Sequence, residues 1–113
     1  MIEAYHFGKI KINGQLYDYD VYLSSSGEVR RWSREESHLF QKEDVIEAVK
    51  ENPEVIVIGT GAYGVAKISQ EAEKLIRDKG IELVIKRTGK AVEEYNKFLN
   101  QGRKVVALLH LTC

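Results

Sequence analysis

Apolar and polar residues alternate along this chain with two different periods, which divide it into two halves. In the first half, apolar residues occupy every second position on both sides of Asn13-Gly14, a dipeptide that favours the tight turn of a β-hairpin. This alternation predicts strands over residues 9–12, 16–23 and 28–32. Asp18 and Asp20 fall on the polar face of the second strand, as expected of an antiparallel strand with one solvated face.

The second half combines helical spacing with short apolar runs. Capping residues and apolar stripes predict three helices: one stopping at Asn52-Pro53, one from Ser69 to Gly80, and one from Thr88 to Gly102. Continuous apolar runs predict buried strands over residues 55–58, 81–85 and 105–109. The alternation of helix and strand predicts a three-layer α/β domain. Its mixed, mostly parallel central sheet carries flanking helices and a small N-terminal antiparallel meander.

Length and composition narrow the possible functions. With 113 residues, the chain is expected to form one domain, residues 1–113, with one modest core. Its 17 basic residues balance 17 acidic residues, so it lacks the basic excess of a general nucleic-acid binder. No signal peptide or membrane-length apolar run is visible, and the single cysteine suits a reducing compartment; we expect a cytoplasmic protein without membrane insertion.

The most suggestive motif is the glycine turn at residues 59–64, which follows the first buried strand. Its three glycines spell the G-x-G-x-x-G of dinucleotide-binding folds, but residues 65–68 separate the turn from the next helix. Lys86-Arg87 stands where that motif requires an acidic residue. The turn therefore either only permits unusual backbone geometry or forms an anion-binding nest from the N–H groups of Gly59, Thr60 and Gly61, with Tyr63 beside them. Lys86 and Arg87 could face the same crevice.

Other chemically active side chains give weaker signals. Arg34 and His38 lie in an aperiodic polar segment over residues 34–40, where they form either an anion site or a solvated charge cluster. His110 and Cys113 are three apart, so on a strand they point to opposite faces and make a poor nucleophile and base. The histidines and the cysteine lack the familiar spacing of zinc ligands. We expect no metal and no cofactor.

Several segments together resemble the adipogenesis-associated Mth-type domain family, over nearly the whole chain. The resemblance is carried by the order of residues 57–61, 91–96, 102–107 and 110–113, with Phe7-Gly8 and Ser37-His38. The ending His-x-Thr-Cys is the most specific of these. One departure is Arg87, because family members commonly have proline just before the threonine that begins the third helix.

The resemblance implies a three-layer α/β fold with a mixed central sheet and a small additional sheet. It implies no reaction, since members are mostly of unknown function; one branch assists assembly of mitochondrial respiratory complex I, and another is linked to adipocyte differentiation. By position, the resemblance marks the glycine turn together with Tyr95, Asn96, Arg103, His110, Thr112 and Cys113.

The sequence thus favours a non-catalytic binding or assembly module. Its crevice, or the exposed edge of its β-hairpin, would engage a protein partner or a small anionic ligand. The alternative is a small enzyme acting on an anionic substrate, with His38 or His110 as acid and base and the glycine turn holding the anion.

Overall fold

The computed structural model describes all 113 residues as ten strands and three helices. In chain order the strands are β1 (Ile2–His6), β2 (Lys9–Ile12), β3 (Gln15–Tyr17), β4 (Val21–Leu23), β5 (Val29–Arg31), β6 (Leu39–Phe40), β7 (Val55–Thr60), β8 (Lys67–Ile68), β9 (Glu82–Lys86) and β10 (Val105–His110). The helices are α1 (Lys42–Lys50), α2 (Gln70–Asp78) and α3 (Thr88–Asn100).

A five-stranded mixed sheet forms the middle layer, with strand order β5-β4-β10-β7-β9. Strands β10, β7 and β9 are mutually parallel, whereas β4 and β5 are antiparallel additions beyond β10. Every residue of β7 and of β10 is buried. This confirms the prediction that continuous β-branched and aliphatic runs form strands covered on both faces.

One face of the central sheet is covered by α1 and α2. Val45, Ala48 and Val49 of α1 pack with Ala72 and Ile76 of α2 on the even-numbered side chains of β7 and β10. The predicted cap of α2 is confirmed, because Ser69 accepts a hydrogen bond from the N–H of Ala72 at 3.1 Å.

The other face is covered by α3 and by a separate three-stranded antiparallel sheet, order β1-β2-β3. Ile2, Ile10 and Ile12 from this small sheet meet Tyr95 and Phe98 of α3 above the central strands. The layers and the small antiparallel sheet confirm the predicted fold class. No helix of the structure has both the length and the apolar character needed to cross a bilayer.

The predicted strand over residues 16–23 is wrong, because the chain breaks there and changes sheet. β3 pairs with β2 in the small sheet, whereas β4 pairs with β5 and β10 in the central sheet. Inside the central sheet, β4 is buried on both faces rather than half solvated. Asp18 and Asp20 therefore lie in the connection between two sheets, not along one solvated strand face.

Two further segments differ from the prediction: the N-terminal strand β1 and residues 34–40. Strand β1 has no predicted counterpart, and Asn96 of α3 holds it with two hydrogen bonds, to the N–H and the carbonyl of Ile2. Residues 34–40 are not simply a surface loop, since Phe40 is buried and β6 pairs in parallel with β8. Both elements depend on partners distant in sequence.

Candidate functional site

The candidate site is the edge of the central sheet where β7, β9 and β10 end. Because the three strands are parallel, their carboxyl ends meet: Thr60 pairs with His110, and Gly59 with Lys86. In open α/β sheets this edge is the usual place for ligands to bind. Three segments cover it in this protein: the glycine turn, the start of α3, and the segment after β10, residues 111–113.

Thr88 ties these segments together. Its side chain is completely buried, and its hydroxyl accepts a hydrogen bond from the N–H of Gly61 at 2.8 Å and donates one to the carbonyl of His110 at 2.5 Å. Thr88 was predicted to cap α3, but the cap position is Arg87 and the threonine hydroxyl bonds outside its own helix. Gly59 packs on this hydroxyl so closely that an added Cβ would lie 2.8 Å from it.

Beyond Gly61, whose N–H donates to Thr88, the N–H groups of residues 62–65 donate to main-chain oxygens rather than pointing into a crevice. Ala62 donates to the carbonyl of Thr112 at 2.7 Å, and Tyr63 and Val65 each donate to the main-chain oxygen of Cys113 at 3.2 Å. Gly61 adopts φ +105°, and an added Cβ would lie 2.3 Å from the carbonyl carbon of Cys113. The N–H groups of residues 61–65 are thus already engaged within the chain.

The path after the turn also differs from a dinucleotide-binding fold. The chain enters β8 instead of a helix, as residues 65–68 led us to expect. The side chain of Thr60 donates to the carbonyl of Lys86 at 3.2 Å, which joins the ends of β7 and β9. This edge of the sheet is closed by hydrogen bonds.

Behind the closed edge lies a buried polar cluster of Asp20, Arg34 and His110. The Asp20 carboxylate accepts hydrogen bonds from Arg34 Nη2, from His110 Nδ1 and from the N–H of Leu111, each at 2.7 Å. The side chains of Arg34 and His110 are each only 4% exposed. Asp20 therefore anchors both the loop after β5 and the segment after β10.

The hydrogen bond to Asp20 defines the role of the His110 ring. Since an ionised carboxylate only accepts, Nδ1 must carry a proton and donate. Arg34 Nη2 also lies 3.4 Å from this Nδ1, but two donors cannot bond to each other, so this approach is a contact only. Buried His110 Nε2 and Arg34 Nε have no hydrogen-bond partner in the chain.

Aromatic rings enclose the charged end of Arg34. Its guanidinium carbon lies 4.3 Å from the centre of the Trp32 ring and 5.0 Å from that of Phe40. The exposed ring of His38 covers the cluster edgewise, 5.4 Å from the ring of His110. Arg34 and His38 thus lie at the same cluster, but contacts within the chain already hold the guanidinium group of Arg34 in place.

Hydrogen bonding outweighs burial in setting the ionisation of Asp20. Burial by itself raises the pKa of this carboxyl group, but the hydrogen bonds from His110, Leu111 and Arg34 lower it further, so the net pKa is below its usual value. Asp20 is therefore a carboxylate at neutral pH.

On the outer side of the same edge, apolar side chains are exposed together. Phe7, Tyr63 and Val65 are 55%, 66% and 47% exposed, and the rings of Phe7 and Tyr63 lie 6.0 Å apart. The side chain of Arg87 lies across the turn, since a Cβ on Gly64 would be 3.1 Å from its Cγ. We call Phe7, Tyr63, Val65 and Arg87 the aromatic surface.

The remaining residues marked by the family resemblance have structural contacts. Tyr95 is buried in the core, and burial raises the pKa of its hydroxyl. Arg103 pairs with Glu82 at 3.1 Å and lies over the ring of Phe98. Thr112 and Cys113 contribute main-chain oxygens to the glycine turn.

No cavity forms at this edge. The three cavities of the structure are lined by other residues, and neither His38 nor His110 borders any of them. No group of three or more histidine, cysteine or acidic side chains is arranged to hold a metal ion. The predicted site residues do converge, but on a closed edge with an exposed aromatic surface.

Sequence reasoning missed three residues that define this edge. Asp20 was assigned to a solvated face, Thr88 to a helix cap, and Phe7 entered only through the family resemblance. Of the three, only Phe7 could have been found from its neighbours in the sequence. It is an aromatic residue just before Gly8, outside the apolar alternation, and aromatic residues are unexpected in a tight turn. The partners of Asp20 and Thr88 lie up to 91 residues away and leave no periodic trace.

Comparison with known proteins places the chain among proteins without an assigned reaction. A family model described as "Protein of unknown function (DUF498/DUF598)" matches residues 2–110. Conserved hypothetical protein PH1505 from Pyrococcus horikoshii OT3 is 29% identical, with a TM-score of 0.91 over 100% of this chain and 99% of that chain. MT938 is 27% identical, with a TM-score of 0.88 over 100% and 98% of the two chains.

A more distant structure supports the fold alone. A Mth938-like domain from Bordetella pertussis is 18% identical, with a TM-score of 0.69 over 97% of this chain and 84% of that chain. Together these similarities confirm the resemblance to the Mth-type domain family.

The contact between Gly61 and Cys113 leads to a test of the closed edge. Gly61→Ala should lower the free energy of unfolding by about 3 kcal/mol, because it combines a disfavoured backbone conformation with an overlap against main-chain atoms. Gly89→Ala is the matched control: it lies in α3 with open space around it, and should raise the same free energy by about 0.5 kcal/mol. Urea denaturation measures both, and equal effects would contradict the close approach.

The lowered pKa of Asp20 leads to a prediction on pH. A carboxyl group whose folded pKa lies below its unfolded value of about 3.9 stabilises the fold above that value, and this contribution is lost as pH falls through the folded pKa. Asp20→Asn should lower the free energy of unfolding at pH 7 by about 3 kcal/mol, because buried Arg34 loses its counter-charge. It should also flatten the decline in stability below about pH 5.

Glu51→Gln provides the comparison for this pH dependence. Burial raises the pKa of Glu51, but hydrogen bonds from Ser25, Tyr22 and Ser24 lower it overall, so this variant should also remove part of the acid-induced decline. Unfolding curves between pH 3 and 7 for both variants measure the two contributions. An Asp20→Asn variant with the parent's slope below about pH 5 would show that Asp20 is not held ionised by the cluster.

Proposed function

Because this chain belongs to the family of proteins of unknown function DUF498/DUF598, whose description assigns no reaction, we propose its function from the site itself. It is a binding module that docks on a partner protein through the aromatic surface. The observation that carries this proposal is the exposure of Phe7 and Tyr63 side by side at the carboxyl edge of the sheet, with exposed Val65 two residues further along the turn. Aromatic side chains at a fixed position are the usual anchors of protein interfaces.

The backbone beneath these side chains is held in place before any partner arrives. Tyr63 and Val65 both donate to Cys113, and Gly8 donates to the carbonyl of Leu111 at 2.9 Å. A surface that is already ordered loses little conformational entropy on binding. This favours docking by rigid contact over folding around the partner.

The charges at the rim favour a partner segment that carries acidic side chains. Arg87 lies against the turn, and the adjacent Lys86 is exposed; neither forms an ion pair within the chain. Two unpaired cations beside exposed rings complement an apolar segment flanked by aspartate or glutamate. The partner is therefore proposed to present an apolar side chain next to carboxylates.

The structure offers less support for the two other possibilities. A small anion would have to compete with Thr112, Thr88 and Cys113 for the N–H groups of the turn. An acid–base reaction at His110 would need solvent access to a ring that is buried and bonded to Asp20. Docking of a protein on the exposed aromatic rings requires neither free N–H groups in the turn nor solvent access to His110.

Photo-crosslinking tests where the partner docks. A benzophenone amino acid placed at Tyr63 should give a specific crosslinked product in cells, whose partner is identified by mass spectrometry. The matched control is the same amino acid at Leu16, which is 65% exposed on edge strand β3 of the small sheet. Crosslinking from Leu16 and not from Tyr63 would place the interface on the hairpin edge instead.

Binding to the purified partner then measures the contribution of each surface. Phe7→Ser and Tyr63→Ser should each weaken binding at least about tenfold, because truncating a central aromatic anchor costs about 1.4 kcal/mol or more. Leu16→Ser should bind as the parent does, and all three should keep the parent's thermal stability, since the side chains are exposed. Unchanged binding by both aromatic variants would overturn the proposal.

A further inference from the structure

A groove between α1 and α2, on the opposite face of the central sheet from α3, is the largest cavity of the molecule, at about 370 Å³. Ile46, Val49 and Leu75 form its apolar part. Lys50, Asn52 and Lys79 form its polar end. Its size falls at the lower end of the range for small-molecule sites.

The two helices are parallel, which gives the groove two unlike ends. Each helix leads into one of the parallel strands, α1 into β7 and α2 into β9, so their N-termini lie together and so do their C-termini. Lys42 and Glu71 approach within 3.9 Å across the N-terminal end. At the C-terminal end the facing residues are Lys50 and Lys79, which carry the same charge.

No carboxylate of the chain pairs with the two lysines at that end. Neither Lys50 nor Lys79 forms an ion pair, although both helices are rich in acidic residues. Most acids near this end are engaged elsewhere: Glu73 with Arg77, Asp78 with Lys74, Glu71 with Lys42, and Glu47 with Arg30, while Glu51, just after α1, bonds to Ser24, Ser25 and Tyr22.

The preference of lysine for helix C-termini does not by itself account for two lysines at one end of an apolar groove. A lysine at a helix C-terminus interacts favourably with the helix dipole, and each of these residues does so on its own. That effect does not require an apolar groove between them. Asn52 follows α1 in the left-handed conformation, φ +54°, that asparagine commonly adopts after a helix, and its exposed side chain borders the groove with no hydrogen-bond partner in the chain.

We propose that this groove binds an amphipathic carboxylate, of the class of medium-chain fatty acids. The aliphatic chain lies along Ile46, Val49 and Leu75, and the carboxylate lies between the ammonium groups of Lys50 and Lys79, with Asn52 as an additional donor. An apolar trough that ends in two lysines without carboxylate partners matches a ligand with one anionic end and one aliphatic body. This site is separate from the aromatic surface and does not depend on the proposed protein partner.

Titration of the full chain with decanoate, kept below its micelle concentration, tests the site by NMR. Decanoate should shift the methyl signals of Ile46, Val49 and Leu75 in a saturable manner. Decanol has the same chain without the charge and should bind at least about tenfold more weakly, the difference expected from losing one charge-assisted contact. Inorganic phosphate, which has charge without an aliphatic chain, should shift none of these methyl groups.

Variants separate the ammonium groups from general surface charge. The double variant Lys50→Gln with Lys79→Gln should weaken decanoate binding at least about tenfold, and Lys50→Arg with Lys79→Arg should retain it. Lys11→Gln is the matched control, since Lys11 is also exposed and unpaired but lies on β2 of the small sheet; it should bind as the parent does. Equal affinity for decanol and decanoate, unchanged binding by the glutamine double variant, or methyl shifts scattered outside the groove would overturn the proposal.

Discussion

The buried hydroxyl of Thr88 is the interaction on which the carboxyl edge of this sheet depends. It accepts from the N–H of Gly61 and donates to the carbonyl of His110, so that one side chain joins the end of β7, the start of α3 and the end of β10. In an interior without water, each of these main-chain groups would otherwise be left without a partner. Only glycine fits at positions 59 and 61 for the same reason, because any side chain there would collide with Thr88 or with the segment after β10.

Because the edge is closed, the groups that it exposes to other molecules differ from those of an open crevice. In many α/β proteins the ends of parallel strands leave a crevice in which phosphates meet free N–H groups. In this chain residues 111–113 accept those hydrogen bonds, and Asp20 anchors the same segment from behind through Leu111 and His110. The result is an edge ordered by hydrogen bonds, whose exposed side chains Phe7 and Tyr63 are aromatic. Polar groups within the edge serve its rigidity, and the exposed rings on its outer side are where we propose that a partner docks.

The features that the sequence predicted depend on residues close together in the chain, whereas the features that it missed depend on residues far apart. Strands β7, β9 and β10 and helix α2 were predictable because apolar runs and the cap at Ser69 are local properties of the chain. The break between β3 and β4 was not, since the alternation of residues 16–23 continues through a change of sheet. Asp20 looked like any solvated aspartate because its partners, Arg34, His110 and Leu111, are 14 to 91 residues away. Of the basic residues associated with the glycine turn, Lys86 and Arg87 lie beside it, whereas Arg34 is buried beneath the edge.

The free energy of unfolding of Thr88→Val, compared with Thr88→Ser, tests the role of this hydroxyl most directly. Valine keeps the shape of threonine and removes both hydrogen bonds, so it should lower the free energy of unfolding by about 3 kcal/mol and speed hydrogen exchange at the N–H of Gly61. Serine keeps the hydroxyl and loses one methyl group, which should cost only about 1 kcal/mol and leave that N–H protected. A valine variant as stable as the serine variant, with Gly61 still protected, would contradict the account.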